Sequence, residues 1–339
     1  MEKNLDPQIL HHLALKSVSP SMRYDGKEDF GQWQKRARAR LRSLMGLDRI
    51  KAAPDDGFSI NETVIHDGYT EYQITFMSEE GHSVPCNLRI PKGKEGKIPM
   101  VICLQGHSTG YHISLGKPIH PGDEETISGG DRDFAVQIVK EGYASLAIEQ
   151  RGFGICGGDE NGPRCLIPTM TALLLGRTTI AERVFDISRA IDVIPSHFEQ
   201  IDENAIACMG NSGGGTATIY ASATDERISL SMPSCALCTF ADSIGAMHHC
   251  SCNYIPGIAL DFDMGDICGL IAPRSLIVVS GAEDPIFPHD GVEESVRIAR
   301  KYYAASGTPD GCDWVEGSEG HRFYAKDAWP VFHARFDKA

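Results

Sequence analysis

The sequence beyond residue 91 is dominated by short, almost wholly apolar segments at residues 100–104, 143–148, 205–209, 228–232 and 275–279. Segments of this length are typical of strands that are buried on both faces of a parallel sheet. Apolar residues at three- and four-residue spacing, as in residues 184–194 and 292–303, predict helices between several of these strands. The alternation predicts an α/β fold with a mostly parallel sheet and helices on both faces.

Segments of a different kind precede residue 91. Apolar and polar residues alternate with a period of two at residues 58–60, 72–76 and 84–90, which predicts half-exposed antiparallel strands separated by turns. Residues 1–55 are polar and broken, with one predicted helix around residues 30–47 that is rich in Arg and Lys. We interpret residues 1–55 as an N-terminal arm or helical extension, whose basic helix face is solvated or contacts another subunit.

Charge and hydropathy limit the partners of the chain. A net charge of −14 disfavours nucleic acid and anionic membranes, because the chain has no basic surplus to displace counterions from phosphates. The N-terminus lacks an apolar signal core, and no apolar run approaches the ~20 residues that cross a bilayer. The 11 cysteines are dispersed, some of them inside strand patterns, which suggests a reducing compartment. We therefore expect a cytoplasmic protein with no nucleic-acid or membrane partner.

A candidate nucleophile follows the apolar segment at residues 205–209. Gly210-Asn211-Ser212-Gly213-Gly214 has the form G-x-S-x-G and leads into a small-residue stretch that is compatible with a helix. A strand, a sharp turn and a helix are the context of a nucleophile elbow, which exposes the serine at the carboxyl edge of a sheet. A serine hydroxyl is a weak nucleophile, so Ser212 would need a base, an acid that orients the base, and donors to a developing oxyanion.

Asp284 is the predicted acid. It stands in a short loop just beyond the predicted strand that ends at Gly281, where the acid of a Ser–Asp–His chain order belongs. Asp290 is the competing carboxylate, but it precedes Gly291 at a predicted helix start, where the role of N-cap explains it better.

His321 is the predicted base, because it lies in a glycine-containing loop after the last predicted strand, residues 312–315. His333 falls within the C-terminal helix pattern and His289 beside Asp284 on the same loop, so both are weaker candidates. The alternative for His321 is an ordinary surface histidine before that helix.

Two backbone N–H groups are the predicted oxyanion donors. One belongs to Gly213, directly after the nucleophile, and the other to His107 in the loop Leu104-Gln105-Gly106-His107. Gly106 would let this loop turn sharply toward the substrate, although a purely structural glycine is an alternative.

These motifs together resemble those of an α/β-hydrolase. Gly281-x-x-Asp284-x-x-x-Pro288, the segments at residues 104–107 and 149–154, and Ala272-Pro273-Arg274 are similar to the acetyl xylan esterase-like, dienelactone-hydrolase-related branch, over about residues 55 to 337. The resemblance implies an eight-stranded sheet with a short cap insertion, no metal or other cofactor, and an acyl-enzyme mechanism. It also implies Ser212, Asp284 and His321 as the triad, with Gly213 and His107 as donors.

The chain departs from the pattern of that branch at two places. Gln105-Gly106 stands where relatives often have His-Gly, and Glu149-Gln150 stands where an Asp commonly precedes the Arg-Gly turn. These changes leave proton transfer untouched and weaken inferences about substrate.

The resemblance also divides the chain into residues 1–55 and a catalytic domain, residues 56–339. Long connections at about residues 107–130 and 233–271 would form cap or lid insertions, as long loops in a compact domain are commonly functional. We expect Gln105, Tyr254, Ile255 and Pro256 to line the substrate pocket. Exchange of the N-terminal arm between subunits would give a homo-oligomer.

A group of soft ligands in the second insertion offers an alternative chemistry. Zinc binding could involve Cys235, Cys238, His248, His249, Cys250 and Cys252. The pairs lack the usual spacing of zinc ligands, so thiols lining an apolar pocket are the favoured interpretation, and no metal is expected.

We therefore predict a serine carboxylic-ester hydrolase acting on a small-molecule ester, such as a small or carbohydrate-linked acetyl ester. A peptidase or acyltransferase using the same triad is an alternative. Peptidases of the prolyl-oligopeptidase type carry a β-propeller that residues 1–55 cannot supply. A binding protein that kept the fold and lost catalysis is the third possibility.

Overall fold

Nine strands form one sheet in the computed structural model, which describes residues 6–337. The strands are β1 (Ser59–Ile65), β2 (Tyr69–Glu79), β3 (His82–Pro91), β4 (Ile98–Leu104), β5 (Ala144–Ile148), β6 (Ile201–Asn211), β7 (Ile228–Ser234), β8 (Ser275–Gly281) and β9 (Cys312–Gly317). Their order across the sheet is β1-β2-β3-β5-β4-β6-β7-β8-β9.

The front of the sheet is antiparallel and the rest is parallel. β1, β2, β3 and β5 pair antiparallel in that order, whereas β5, β4, β6, β7, β8 and β9 pair parallel. The mostly parallel α/β fold is confirmed. The number of eight strands, which came from the resemblance, is wrong, because the alternating pattern at residues 58–60 continues as β1 and adds a ninth strand at the antiparallel edge.

The helices are α1 (Pro7–Ser17), α2 (Phe30–Met45), α3 (Asp123–Gly130), α4 (Phe134–Lys140), α5 (Leu166–Leu174), α6 (Thr179–His197), α7 (Gly213–Thr224), α8 (Ile258–Asp261), α9 (Met264–Gly269), α10 (His289–Ala305) and α11 (Ala325–Phe336). Two separate apolar cores lie on opposite sides of the sheet. One contains apolar side chains of α2, α6, α7 and α10, and the other contains those of α4 and α11. The predicted placement of helices on both faces is therefore confirmed.

The N-terminal helix α2 packs against the main core. It buries Trp33, Ala37, Leu41 and Met45 at three- and four-residue spacing and ends at Gly46, whose φ of 73° is the left-handed cap that glycine favours. The basic face of α2 also makes contacts inside the protein: the Arg38 guanidinium donates hydrogen bonds to the carbonyl oxygens of two residues outside the helix. The first five residues of the predicted arm lie outside the described residues.

Both long connections contain short helices. The segment at residues 107–130 includes α3, and the segment at residues 233–271 includes α8 and α9. Each follows the carboxyl end of a parallel strand, β4 and β7 respectively, so both lie at the edge where α/β sheets bind ligands. Within residues 6–337, no helix combines the length and apolarity needed to span a membrane.

Candidate active site

Ser212 occupies a strained turn between β6 and α7. Its φ of 53° and ψ of −121° lie in a region that non-glycine residues rarely adopt. The turn is held by the neighbouring strand, since the Ser212 N–H donates to the Ser234 carbonyl oxygen at 2.8 Å. Gly214 has no room for a side chain, because a Cβ there would lie 2.1 Å from the Leu104 carbonyl oxygen. The predicted strand–turn–helix around Ser212 is therefore present.

The loop after β4 lies directly against this turn. A Cβ on Gly106 would stand 2.8 Å from the Asn211 carbonyl oxygen and 3.0 Å from Ser212 Cβ, so only glycine allows so close an approach. The His107 N–H has no acceptor among residues 6–337, and the Gly213 N–H, at the first position of α7, has no intrahelical acceptor. Among the described residues, the fold thus uses neither N–H group, and both remain available as the predicted pair of oxyanion donors.

Gln105 shapes this loop from inside the protein. Its side chain is buried and donates to Ser114 Oγ at 3.0 Å and to the Arg132 carbonyl oxygen at 2.8 Å, while its Oε1 accepts from the Gly106 N–H. Gln105 is therefore not at the cavity surface, where a pocket residue was expected, but holds the loop that carries His107.

Asp284 and His321 form the hydrogen-bonded pair expected of an acid and a base. Nδ1–H of His321 donates to Asp284 Oδ2 at 2.7 Å. Asp284 Oδ1 accepts from the N–H groups of Ile286 and Phe287 at 2.8 and 3.2 Å, which fixes the carboxylate in its loop. The ring of Phe287 stacks on the imidazole, with centroids 5.9 Å apart.

The competing acid Asp290 does not reach this pair. Helix α10 begins at His289 with Pro288 as its N-cap residue, so Asp290 lies in the first turn and its predicted N-cap role is wrong. Proline at the cap position offers no side-chain acceptor, and a carboxylate within the first turn still interacts favourably with the helix dipole. His289, for its part, faces Glu316 at 2.6 Å.

Opposing effects set the charge of Asp284. Burial raises the pKa of its carboxyl, but the hydrogen bond from His321 and the backbone N–H groups of Ile286 and Phe287 outweigh burial and hold the pKa below its ordinary value. The residue therefore stays a carboxylate at neutral pH. A carboxylate in this position keeps the proton of the imidazole on Nδ1 and leaves Nε2 free to accept one.

Ser212 and His321 line one cavity of about 1450 Å³, together with His107 and Gly213. Among the described residues, no hydrogen bond joins the Ser212 hydroxyl to His321, and such catalytic contacts commonly tighten only when the substrate binds. Tyr254 also lines this cavity, as expected of a pocket residue. Ile255 and Pro256 do not line it; Ile255 is buried in the main core.

Two residues line the cavity that the sequence analysis did not place there: Arg132, which it did not mention, and His249, which it considered only as a possible zinc ligand. Arg132, a half-buried side chain at the cavity wall, donates to the His321 carbonyl oxygen at 3.1 Å and so supports the loop of the predicted base. His249 lines the same wall, and burial lowers the pKa of its imidazole to about 4. Neither lies in a motif, and only the folded chain brings them beside His321.

The six cysteines and histidines that the sequence analysis considered as zinc ligands do not lie together as one group. Cys235 lies beside Asp284 and His321, and its thiol donates to the Arg322 carbonyl oxygen at 3.1 Å. Cys238 is buried and lies 3.8 Å from the Pro288 carbonyl oxygen. Cys250 and Cys252 instead meet His107 and Cys165, a grouping that the sequence analysis did not foresee.

Comparisons with known proteins agree with this architecture. The family model for acetyl xylan esterase (AXE1) matches residues 49–254, more than half of the chain. The chain is also 28% identical over 257 residues to "Putative hydrolase YtaP" of Bacillus subtilis, an alignment that covers 74% of this chain and 82% of that protein.

Solved structures with the same fold include a "putative acetyl xylan esterase" of Bacteroides fragilis, with a TM-score of 0.78, 19% identity, and coverage of 97% of this chain and 85% of that one. Glucuronoyl esterase of Solibacter usitatus superimposes with a TM-score of 0.70 at 17% identity, covering 95% and 98% of the two chains. At these identities the likeness establishes the α/β-hydrolase fold alone.

Proposed function

The chain belongs to the acetyl xylan esterase family and is a carboxylic-ester hydrolase, and we propose that Ser212 attacks the ester of a carbohydrate-linked substrate. The observation that carries this proposal is the position of Ser212, at a strained turn that opens on the cavity lined by His321, itself hydrogen-bonded to Asp284. Strain at a buried turn is retained where function requires it.

The proposed reaction has two steps. His321 Nε2 takes the hydroxyl proton as Ser212 Oγ bonds to the ester carbonyl carbon, while Asp284 stabilises the imidazolium. The N–H groups of His107 and Gly213 bind the oxyanion, and His321 returns the proton to the departing alcohol. Water then attacks the acyl-enzyme by the same proton transfers and releases the acid.

The size of the cavity supports a substrate with a bulky alcohol. Ligand pockets commonly enclose about 300–1,000 Å³, and this cavity, at about 1450 Å³, exceeds that range. The two structural neighbours, a putative acetyl xylan esterase and a glucuronoyl esterase, are both named for carbohydrate-linked esters. The acetyl xylan esterase family favours a small acyl group on a sugar hydroxyl, and this is the proposed substrate class.

An ester panel tests the proposal. Acetylated xylo-oligosaccharides, p-nitrophenyl acetate and p-nitrophenyl esters of long acids should be compared by kcat/KM, with the acetylated sugars expected to be the best substrates. Preference for long acyl chains would contradict the sugar assignment and would point instead to the exposed apolar side chains of α5, Leu166, Ile167 and Met170, at the cavity rim.

Ser212→Ala tests the nucleophile separately from the substrate. We expect a loss on the order of 10⁶ in kcat and no labelling by a fluorophosphonate probe. Ser196→Ala, on α6 outside the cavity lining, is the matched control and should retain both. Hydrolysis by Ser212→Ala at near the unaltered rate would refute the role of Ser212.

A further inference from the structure

Four soft ligand atoms converge beside the proposed active site. His107 Nε2 and the thiols of Cys165, Cys250 and Cys252 all lie within 4.8 Å of one another. Two of the separations are 3.2 Å, between His107 Nε2 and Cys252 Sγ, and 3.3 Å, between the sulfurs of Cys250 and Cys252. The four residues come from three segments far apart in the chain, so only the tertiary structure assembles them.

The spacing fits a tetrahedral metal ion. With Zn–S bonds of about 2.3 Å and Zn–N bonds of about 2.1 Å, tetrahedral geometry separates ligand atoms by roughly 3.5–3.8 Å. The separations of 3.2 and 3.3 Å fall just below that range and no pair is farther apart than 4.8 Å, so shifts of about an ångström would complete the shell. Three sulfurs and one imidazole form a donor set typical of structural zinc sites and unsuited to magnesium or calcium.

A buried cation beside the cluster requires negative charge there. Arg183 is 1% exposed and forms no ion pair with a carboxylate among residues 6–337. Its guanidinium instead points at Cys252 Sγ, at 3.2 Å, and Cys165 Sγ, at 3.4 Å. The same guanidinium donates to the Arg151 carbonyl oxygen, through Nε at 3.1 Å and Nη2 at 2.7 Å, and lies over the ring of Phe153. These neutral partners satisfy its N–H groups but not its charge, and thiolates at Cys165 and Cys252 would supply the negative charge that a buried cation requires.

The charges then balance with a divalent metal. Three thiolates, one neutral imidazole and Zn²⁺ sum to a single negative charge, which Arg183 neutralises. N–H groups donated to metal-bound sulfur are the usual outer support of such sites.

We propose that His107, Cys165, Cys250 and Cys252 bind one zinc ion that fastens three walls of the active-site cavity to one another. The ion would join the oxyanion loop, through the ring of His107, to the start of α5, through Cys165, and to the second insertion, through Cys250 and Cys252. Four protein ligands leave no open position, so the role is structural and separate from the proposed hydrolysis.

Metal content of the full chain tests the proposal directly. Protein purified without chelator, or loaded with ZnCl₂ and then desalted, should contain about one zinc per chain by plasma mass spectrometry. A mercurial reagent that blocks thiols should release this zinc to a colorimetric indicator. Cobalt loading should produce thiolate-to-metal charge-transfer absorption and the visible bands of tetrahedral Co(II).

Cysteine variants locate the ion. Cys165→Ser and Cys252→Ser should each lower the bound zinc by about tenfold or more after desalting, because each removes a ligand directly. Cys312→Ala, a buried cysteine of β9 outside the cluster, is the matched control and should keep it. Circular dichroism of each variant distinguishes loss of the ligand from loss of the fold.

Three results would overturn the proposal. One is unaltered protein that holds no stoichiometric zinc after loading. Another is equal zinc in Cys252→Ser and in the unaltered chain. The third is a Cys165–Cys252 disulfide found by mass spectrometry under the same conditions, which would make the cluster a redox pair. None of these depends on Ser212, so zinc binding and the proposed hydrolysis can fail independently.

Discussion

At the scale of single residues, the proposed active site is shaped by how closely backbone segments approach one another as much as by side-chain chemistry. Ser212 takes a positive φ, and the loop carrying His107 can touch the turn only because Gly106 has no side chain. Both features are steric requirements of short segments. They restrict which residues can stand there, so the motifs at residues 104–107 and 210–214 could be recognised in the sequence. In enzymes generally, misplacement of a reacting group by about 1 Å can cost on the order of 10²-fold in rate.

Gly106→Ala should reduce turnover without unfolding the protein. The added methyl group would meet the Asn211 carbonyl oxygen at 2.8 Å, so the loop must withdraw and take the His107 N–H with it. We expect kcat to fall on the order of 10²-fold, as for loss of one oxyanion donor, with a smaller change in KM. Gly68→Ala is the control, because a Cβ there meets nothing within 4 Å. Equal kcat in both variants would mean that this loop supplies no donor.

Asp284→Asn should be far more damaging than Asp290→Asn. The asparagine amide would favour the wrong imidazole tautomer and remove the charge that supports the imidazolium, for an expected loss on the order of 10⁴ in kcat. Asp290 is exposed in the first turn of α10, so its variant should keep activity. Steady-state kinetics of the two variants decide the acid, and the reverse order of effects would exchange the assignment.

At the scale of elements, the site is assembled where loops after neighbouring parallel strands meet. β4, β6 and β8 respectively precede His107, Ser212 and Asp284, and parallel strands end at one edge. The loops after β4 and β5 are further joined by Glu149, whose buried carboxyl accepts from the Tyr111 N–H at 3.2 Å. The departure of Glu149 from the pattern of related hydrolases thus has a structural role.

Glu149 should make stability depend on pH. Burial raises the pKa of its carboxyl from 4.5 to about 8. Between these values the folded protein keeps a proton that the unfolded chain has released, so unfolding releases a proton and the free energy of unfolding falls as pH rises. Glu149→Gln keeps the shape and cannot ionise, so its stability should decline less from pH 5 to pH 8.

Chemical denaturation at several pH values measures this effect. Glu203→Gln, at an exposed position on β6, is the control and should follow the unaltered protein. If Glu149→Gln shows the same decline as the control, burial of this carboxyl is not what couples the fold to pH.

At the scale of the whole molecule, the N-terminal segment is part of the packed structure. Trp33 of α2 stacks on Tyr302 of α10, with centroids 4.8 Å apart, and Arg23 forms two hydrogen bonds of 2.9 Å with Asp266 of α9. The proposed boundary between residues 1–55 and 56–339 therefore divides regions that share one core. The sequence predicted the helix α2, but it did not show which surface of the protein the helix packs against.

Trp33→Ala should destabilise the fold and spare the chemistry. The side chain is 1% exposed and its Nε1–H donates to the Met22 carbonyl oxygen at 2.7 Å. We expect a loss of about 3–5 kcal/mol in the free energy of unfolding, with near-normal kcat where the variant is still folded, because α2 does not line the cavity. Lys35→Ala, on the exposed face, should change stability by less than about 0.5 kcal/mol. Denaturant titration and kinetics at low temperature measure the two effects.

The sequence alone determined the order of strands and helices, because hydrophobic periodicity is a local consequence of which faces are buried. It also singled out Ser212, Asp284 and His321 as the candidate triad, since turn residues and chain order leave local marks around each of them. The alternating pattern at residues 58–60 had predicted the strand β1. The expected total of eight strands was too low because it was taken from the family resemblance and not from the patterns in this sequence.

Only the tertiary structure decided which distant residues meet. The inward orientation of Gln105, the placement of Ile255 in the core, and the grouping of His107 with Cys165, Cys250 and Cys252 depend on how loops from separate strands fold over one another. Such contacts join positions far apart in the chain, and no local periodicity or spacing encodes them. The physical reason is that a loop's conformation is set by the surfaces against which it packs, and these exist only once the sheet has formed.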